Sequence, residues 1–147
     1  RQMHIFMGEY LHSMDTKGRI IIPAKLREGL GDSCVITKGR AECLTIYTKE
    51  RFTEEAKRLE ATAHTVKVMG FLRRFFSRAM ELEFDRQGRV LVPPNLRAEG
   101  NLEKDVVIIG LNDRIEMWNK DQWNQYMAEQ ETELENLDDD LDAIGLF

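Results

Sequence analysis

The sequence predicts a β-rich α+β fold built twice about a pseudo-twofold axis, with helices connecting and flanking the two copies. Three observations predict it. A motif of 13 residues, Asp15-Thr16-Lys17-Gly18-Arg19-Ile20-Ile21-Ile22-Pro23-Ala24-Lys25-Leu26-Arg27, returns 70 residues later as Asp85-Arg86-Gln87-Gly88-Arg89-Val90-Leu91-Val92-Pro93-Pro94-Asn95-Leu96-Arg97. Further on the match resumes at an offset of 71, with Tyr47 answering to Trp118, Lys49 to Lys120 and Phe52 to Trp123. Each copy also reads as about four very short strands and a helical turn or two, too little to bury a core alone. The strands of the two copies are therefore expected to pair with each other and complete one shared core. Two copies are too few for a solenoid, which needs at least about three stacked units.

The elements follow in order. Residues 5–14 read as a strand. Asp15 to Gly18 carries turn chemistry: Gly18 tolerates positive φ, and an Asp side chain bonds the backbone that follows it. Arg19 to Ile22 is a short β-branched strand, ended by Pro23, which also suits the start of a helix over Ala24–Leu30. Residues 34–37 form the next strand. In the following one Leu44 and Ile46 alternate with Thr45 and Tyr47, so one face is expected to be buried. Thr48 caps a helix over about 49–61, with Phe52, Ala56 and Leu59 on one stripe. Thr65 caps another running to about Ser77, its apolar stripe made by Val68, Met69, Leu72, Phe75 and Phe76. Met80, Leu82 and Phe84 then reopen the strand pattern. The second copy runs turn, strand, short helix, and strands at 106–110 and 114–118. Asn119 caps the last helix, which turns Trp123 and Met127 inward. After about Glu135 the pattern fades into an acidic tail. The organisation expected is repeat 1 at 9–51, a helical connector at 52–79, repeat 2 at 80–123, and a C-terminal helix and acidic tail at 124–147.

At 147 residues and 42% apolar content, the chain supports a packed core and excludes wholesale disorder. No transmembrane stretch or export signal is visible, which points to the cytoplasm; Arg1 and Gln2 precede Met3 and are set aside from fold reasoning. Cys34 and Cys43 suit a reducing compartment and make no disulfide framework. The net charge of −5 argues against a nucleic-acid partner until its distribution is read. Residues 129–147 carry Glu129, Glu131, Glu133, Glu135, Asp138, Asp139, Asp140 and Asp142 with no Lys or Arg, which leaves 21 basic and 18 acidic residues in 1–128, a net of +3.

The repeated motif carries the chemistry. A turn places Asp15 beside Arg19 and Asp85 beside Arg89, and a guanidinium can bind the carboxylate while offering further N–H donors outward. Gly18 and Gly88 keep the backbone there tight. An arginine presented this way suits phosphate oxygens or guanine edges in a major groove. Lys17, Lys25 and Arg27 add positive charge in the first copy; Arg86 and Arg97 add it in the second. The competing reading is a structural ion pair that pins a turn; two copies with extra basic residues weigh against it. Arg73, Arg74 and Arg78 read as a solvated or subunit-facing stripe. Tyr47, Trp118 and Trp123 read as core. His4, His12 and His64 have no ligand spacing, so no metal, cofactor or small-molecule ligand is predicted. No Walker loop, dinucleotide fingerprint, nucleophile elbow or zinc-protease motif occurs, so no enzyme is predicted.

The pattern Asp-x-x-Gly-Arg, three apolar residues, Pro-x-x-Leu-Arg resembles the AbrB/SpoVT family. In tandem, and together with Phe6-Met7-Gly8-Glu9-Tyr10 and Arg74-Phe75-Phe76-Ser77, it resembles the MraZ family of transcriptional regulators over about residues 5–128. It departs from that family at Arg78, where glycine usually follows Phe-Phe-Ser. The resemblance implies an AbrB/MazE-like swapped-hairpin β-barrel and a cytoplasmic, nucleoid-associated repressor of its own division and cell-wall gene cluster. It implies ring-shaped homo-oligomers that bind direct repeats in double-stranded promoter DNA. It assigns Arg19 and Arg89 to DNA, with Lys17 and Arg86 as basic neighbours. The rival class is an antitoxin-like interaction module whose acidic tail binds a partner.

Overall fold

A computed structural model of the chain describes residues 4–134 and 137–145. Arg1, Gln2 and Glu135, discussed above, lie outside them. The first copy forms β1 (Glu9–Ser13), β2 (Arg19–Ile21), α1 (Ala24–Leu30), β3 (Ser33–Lys38) and β4 (Leu44–Thr48). Helices α2 (Lys49–Glu60) and α3 (Val66–Arg78) connect it to β5 (Met80–Glu83), β6 (Arg89–Leu91), α4 (Pro94–Glu99), β7 (Asp105–Leu111) and β8 (Arg114–Asn119). Helices α5 (Lys120–Glu133) and α6 (Leu137–Ala143) follow. The three longer helices start where their side chains cap them. Thr48 accepts from the Arg51 N–H at 3.0 Å, Thr65 from Val68 at 3.2 Å and Asn119 from Gln122 at 3.0 Å, each satisfying a donor the first turn leaves open.

Six strands make one antiparallel sheet in the order β1-β7-β8-β4-β3-β5, and β2 and β6 pair separately. Only β3–β4 and β7–β8 pair within a copy; the other four pairings join one copy to the other. The pseudo-twofold axis passes where equivalent residues meet, Ile20 against Val90 and Thr45 against Glu116. The large sheet is open: β1 and β5 are its edges, and no closed barrel forms among the described residues. The strands nearest those edges in the chain, β2 and β6, are hydrogen-bonded to each other instead.

The core repeats the same symmetry. Ile20, Ile22, Leu26, Leu44 and Ile46 are buried, and so are their counterparts Val90, Val92, Leu96, Ile115 and Met117. Tyr47, Trp118 and Trp123 are buried as the sequence indicates. The expectation of a single buried face on β4 does not hold: Leu44, Thr45, Ile46 and Tyr47 are all buried. The cause is the pair of connector helices: α3 docks on the outer face of β3, and α2 covers β4 and part of β3. Thr37 donates its hydroxyl to the Phe75 carbonyl at 2.6 Å, and Phe75 packs edge-on to Tyr47 and stacked on Phe52. Three further expectations change. Phe76 is partly exposed, since it sits at the rim of this cluster. Met127, expected to turn inward, is 38% exposed, because α5 buries only Trp123 against the sheet. Part of the acidic tail is helical, because α6 begins with Asp138, Asp139 and Asp140, whose charges favour a helix N-terminus.

Phe75, 2% exposed, anchors the connector to the sheet. Phe75→Ala is expected to destabilise by ~3–5 kcal/mol, the cost of truncating a buried aromatic. Phe76→Ala is expected to cost less than half as much. Urea unfolding of both variants, with unchanged slope, checks the order.

Candidate nucleic-acid interface

Each Asp-to-Arg turn is a closed hydrogen-bonded ring. The Asp15 N–H donates to the Arg19 carbonyl at 2.9 Å, and the Gly18 N–H donates to the Asp15 carbonyl at 3.0 Å. One carboxylate oxygen, Asp15 Oδ1, accepts from the N–H groups of Lys17 and Arg19 at 3.0 and 2.8 Å. The other, Oδ2, accepts from Arg19 Nε at 2.7 Å. The second copy repeats this: Asp85 Oδ1 accepts from Gln87 and Arg89 N–H groups, each at 2.9 Å, and Oδ2 from Arg89 Nε at 2.8 Å. A carboxylate on two backbone donors and one guanidinium edge is held in one rotamer, and it holds the arginine in turn. Among the described residues only Nε is engaged, which leaves both terminal NH2 groups of each arginine as donors.

The β2–β6 ribbon sets the two turns side by side. Ile20 and Val90 point inward; Arg19 and Ile21, with Arg89 and Leu91, point outward. Arg19 lies opposite Leu91 and Arg89 opposite Ile21. The arginines are thus diagonal neighbours across the ribbon, a relation that spans ~7–8 Å and somewhat less between Cβ atoms. The outer face is two guanidinium groups flanking two exposed aliphatic side chains, since Ile21 is 42% and Leu91 55% exposed. These two apolar residues were not singled out by sequence; the outward phase of a three-residue strand would have found them.

The other predicted residues sort by depth. Lys17 and Arg86 are exposed at the tips of the turns, and Lys25 is exposed on α1. Arg27 and Arg97 are half-buried beneath the ribbon. Arg27 Nη1 donates to the Ile22 carbonyl at 3.1 Å. Gly18 and Gly88 have φ of 91° and 77°, so glycine is required there on backbone grounds. Of the connector arginines, Arg74 donates to the Gly39 carbonyl at 3.3 Å and lies over the Phe71 ring at 5.8 Å. Arg78 pairs through Nε with Glu99 of α4. Arg73 is exposed. Burial pushes the Cys34 thiol up to about 12 and raises the Cys43 thiol further, so both are protonated at neutral pH.

The family model described as "MraZ protein, putative antitoxin-like" matches residues 5–71 and 75–143. A protein of Acetivibrio thermocellus named Transcriptional regulator MraZ is 43% identical over 97% of this chain and 100% of its own length. One of the same name from Halothermothrix orenii is 46% identical over the same shares. A third, from Heliobacterium modesticaldum, is 49% identical over 83% of this chain and 86% of its own length.

The Arg19 backbone N–H, with further help from its guanidinium and the Lys17 N–H, lowers Asp15 from 3.8 to about 2. Asp85 is lowered in the same way, first by the Arg89 N–H. A carboxyl lowered by folding stabilises fully above its unfolded pKa, and that contribution is lost as pH falls through the folded value. Wild type is therefore expected to lose stability relative to Asp15→Asn between pH 3.8 and about 2. Chemical unfolding of both proteins from pH 7 to pH 2 checks this; a gap that changes between pH 5 and pH 7 contradicts it.

Proposed function

The chain belongs to the MraZ family, and from that premise we propose that it is a sequence-specific DNA-binding transcriptional regulator that reads DNA with the β2–β6 ribbon. One observation carries this reading: two arginines, each oriented by its own aspartate, stand together on the outward face of a two-stranded antiparallel ribbon. A ribbon of this kind fits a major groove, where a guanidinium donates to guanine O6 and N7 and aliphatic groups meet thymine methyls. In the proposal Arg19 and Arg89 are the lead contacts, and Lys17, Arg86 and Lys25 supply phosphate contacts around them.

The finer proposal is that the protein represses its own division and cell-wall gene cluster from within the nucleoid, binding promoter direct repeats as a ring of identical subunits. A body of net +3 is a weak electrostatic binder. Linking subunits raises the effective concentration of each later contact, and avidity can exceed single-site affinity by ~10²–10⁴. The exchange of strands between copies, four pairings of six, supports placing the fold in the swapped-hairpin class. A second reading, an antitoxin-like module, draws on the family description and on α6, which carries Asp138, Asp139, Asp140 and Asp142 with no side chain buried. Deleting residues 129–147 separates the two: a partner lost with DNA binding intact favours the second.

Fluorescence anisotropy with duplex from upstream of the protein's own gene, beside a scrambled duplex, tests the main reading. Wild type is expected to prefer the first, with log K falling by roughly 0.9 per phosphate contacted for each tenfold rise in salt. Arg19→Ala and Arg89→Ala are each expected to remove most of that preference, at about 1–3 kcal/mol per bidentate contact. Equal binding of both duplexes by every variant would refute sequence reading by the ribbon.

A further inference from the structure

We propose that Arg27 and Arg97 are crossed positioning residues: each sets the turn of the opposite copy, Arg27 that of Asp85 to Arg89 and Arg97 that of Asp15 to Arg19. This rests on the DNA-binding reading above and gives these two arginines, which the sequence offers as added positive charge, a place as supports of the contacts.

The geometry points there from both sides. A Cβ added to Gly88 would land on Arg27 Nη1 and lie 2.7 Å from its Cζ. A Cβ added to Gly18 would lie 2.8 Å from both Cζ and Nε of Arg97. The missing side chain of each glycine is thus replaced by a guanidinium from the other copy. Arg27 closes a triangle. Its Nη1 holds the Ile22 carbonyl at 3.1 Å, the Ile22 N–H donates to the Gly88 carbonyl at 3.1 Å, and the guanidinium covers Gly88. On the other side the Val92 N–H donates to the Gly18 carbonyl at 2.9 Å, and Arg97 Nε is buried with no hydrogen-bond partner. Arg97 is therefore seated by packing, a role for a flat guanidinium that a lysine ammonium does not fill. Both arginines stand in the last turn of a short helix, α1 or α4, at equivalent positions of the motif.

The crossing gives a test that a direct DNA contact or a brace within one copy would fail. Binding to the upstream duplex is measured for Arg27→Ala and Arg27→Lys, alone and combined with Arg89→Ala or with Arg19→Ala. Arg27→Ala is expected to weaken binding several-fold with the salt slope unchanged, and Arg27→Lys, which keeps the charge and the stem, is not expected to restore it. In the Arg89→Ala background the further loss should shrink to about twofold or less, the scatter of additive sites, while in the Arg19→Ala background it should remain in full. A lower salt slope rescued by lysine would make Arg27 a phosphate contact and overturn the proposal. Coupling to Arg19 instead of Arg89 would overturn it as well. Hydrogen exchange without DNA supplies the independent readout: Arg27→Ala should speed exchange across 85–89 and leave 15–19 unchanged. If wild type binds no DNA, the reading above fails and the exchange pattern alone decides the crossing; equal change in both turns, or none in 85–89, refutes it.

Discussion

Ile20 lies directly across from Val90, and the molecule is arranged about that meeting. A three-residue strand cannot fold by itself, and among the described residues β2 and β6 have no other hydrogen-bonded strand. Their pairing is extended at each end by a turn, through Ile22 N–H to Gly88 and Val92 N–H to Gly18. The inward side chains, Ile20 and Val90, then become part of the shared core. Neither copy has a complete ribbon or a complete sheet of its own, so the candidate reading face exists only where both copies are paired. Duplication supplies the partner strands that a single copy lacks.

The arginines illustrate how exposure and order are reconciled. A free surface arginine carries about 2 kcal/mol of side-chain entropy, much of which is lost when it docks on a rigid ligand. Asp15 and Asp85 remove part of that freedom beforehand, and each is itself fixed by two backbone N–H groups. The carboxylate takes only Nε, so the orientation is set without using the terminal donors. The same ion pair that a structural reading would treat as a pin on the turn thereby becomes the means of presentation. The two readings differ in what the remaining N–H groups face, and the ribbon faces them outward.

Much of this was legible in the sequence because it is local. The bounds of α1, the caps Thr48, Thr65 and Asn119, and the Asp–Gly–Arg turns each depend on residues within about five positions. The repeat itself announced shared pairing, since the copies were too small to stand alone. What was not legible depends on distant residues. The outer faces of β3 and β4 are buried because α2 and α3 return over them, which alternation within β4 does not record. The openness of the sheet follows from β2 choosing β6. Arg27 and Arg97 looked like surface charge because their neighbours Gly88 and Gly18 are 61 and 79 residues away in the chain. The acidic run hid a helix, since aspartates read equally well as tail and as a first helical turn.

Net charge is the property most easily misread here. The whole chain is negative, but a potential at a surface is set by charges within about a Debye length, ~8–10 Å at ordinary salt. Asp15 and Asp85 are neutralised by the arginines they orient, and Glu28 and Asp32 line the hollow that Arg27 shares with the second turn. Lys17 and Arg86 stand exposed at the turn tips, and the half-buried Arg27 and Arg97 add two further positive charges. Six basic residues, Arg19, Arg89, Lys17, Arg86, Arg27 and Arg97, stand against four acids, Asp15, Asp85, Glu28 and Asp32, so the ribbon and its turns are net positive while the chain is negative. The eight acids of 129–147 are gathered in one segment rather than interleaved with the basic residues. Segregation, not the sum, is what leaves an acidic protein with a net positive ribbon.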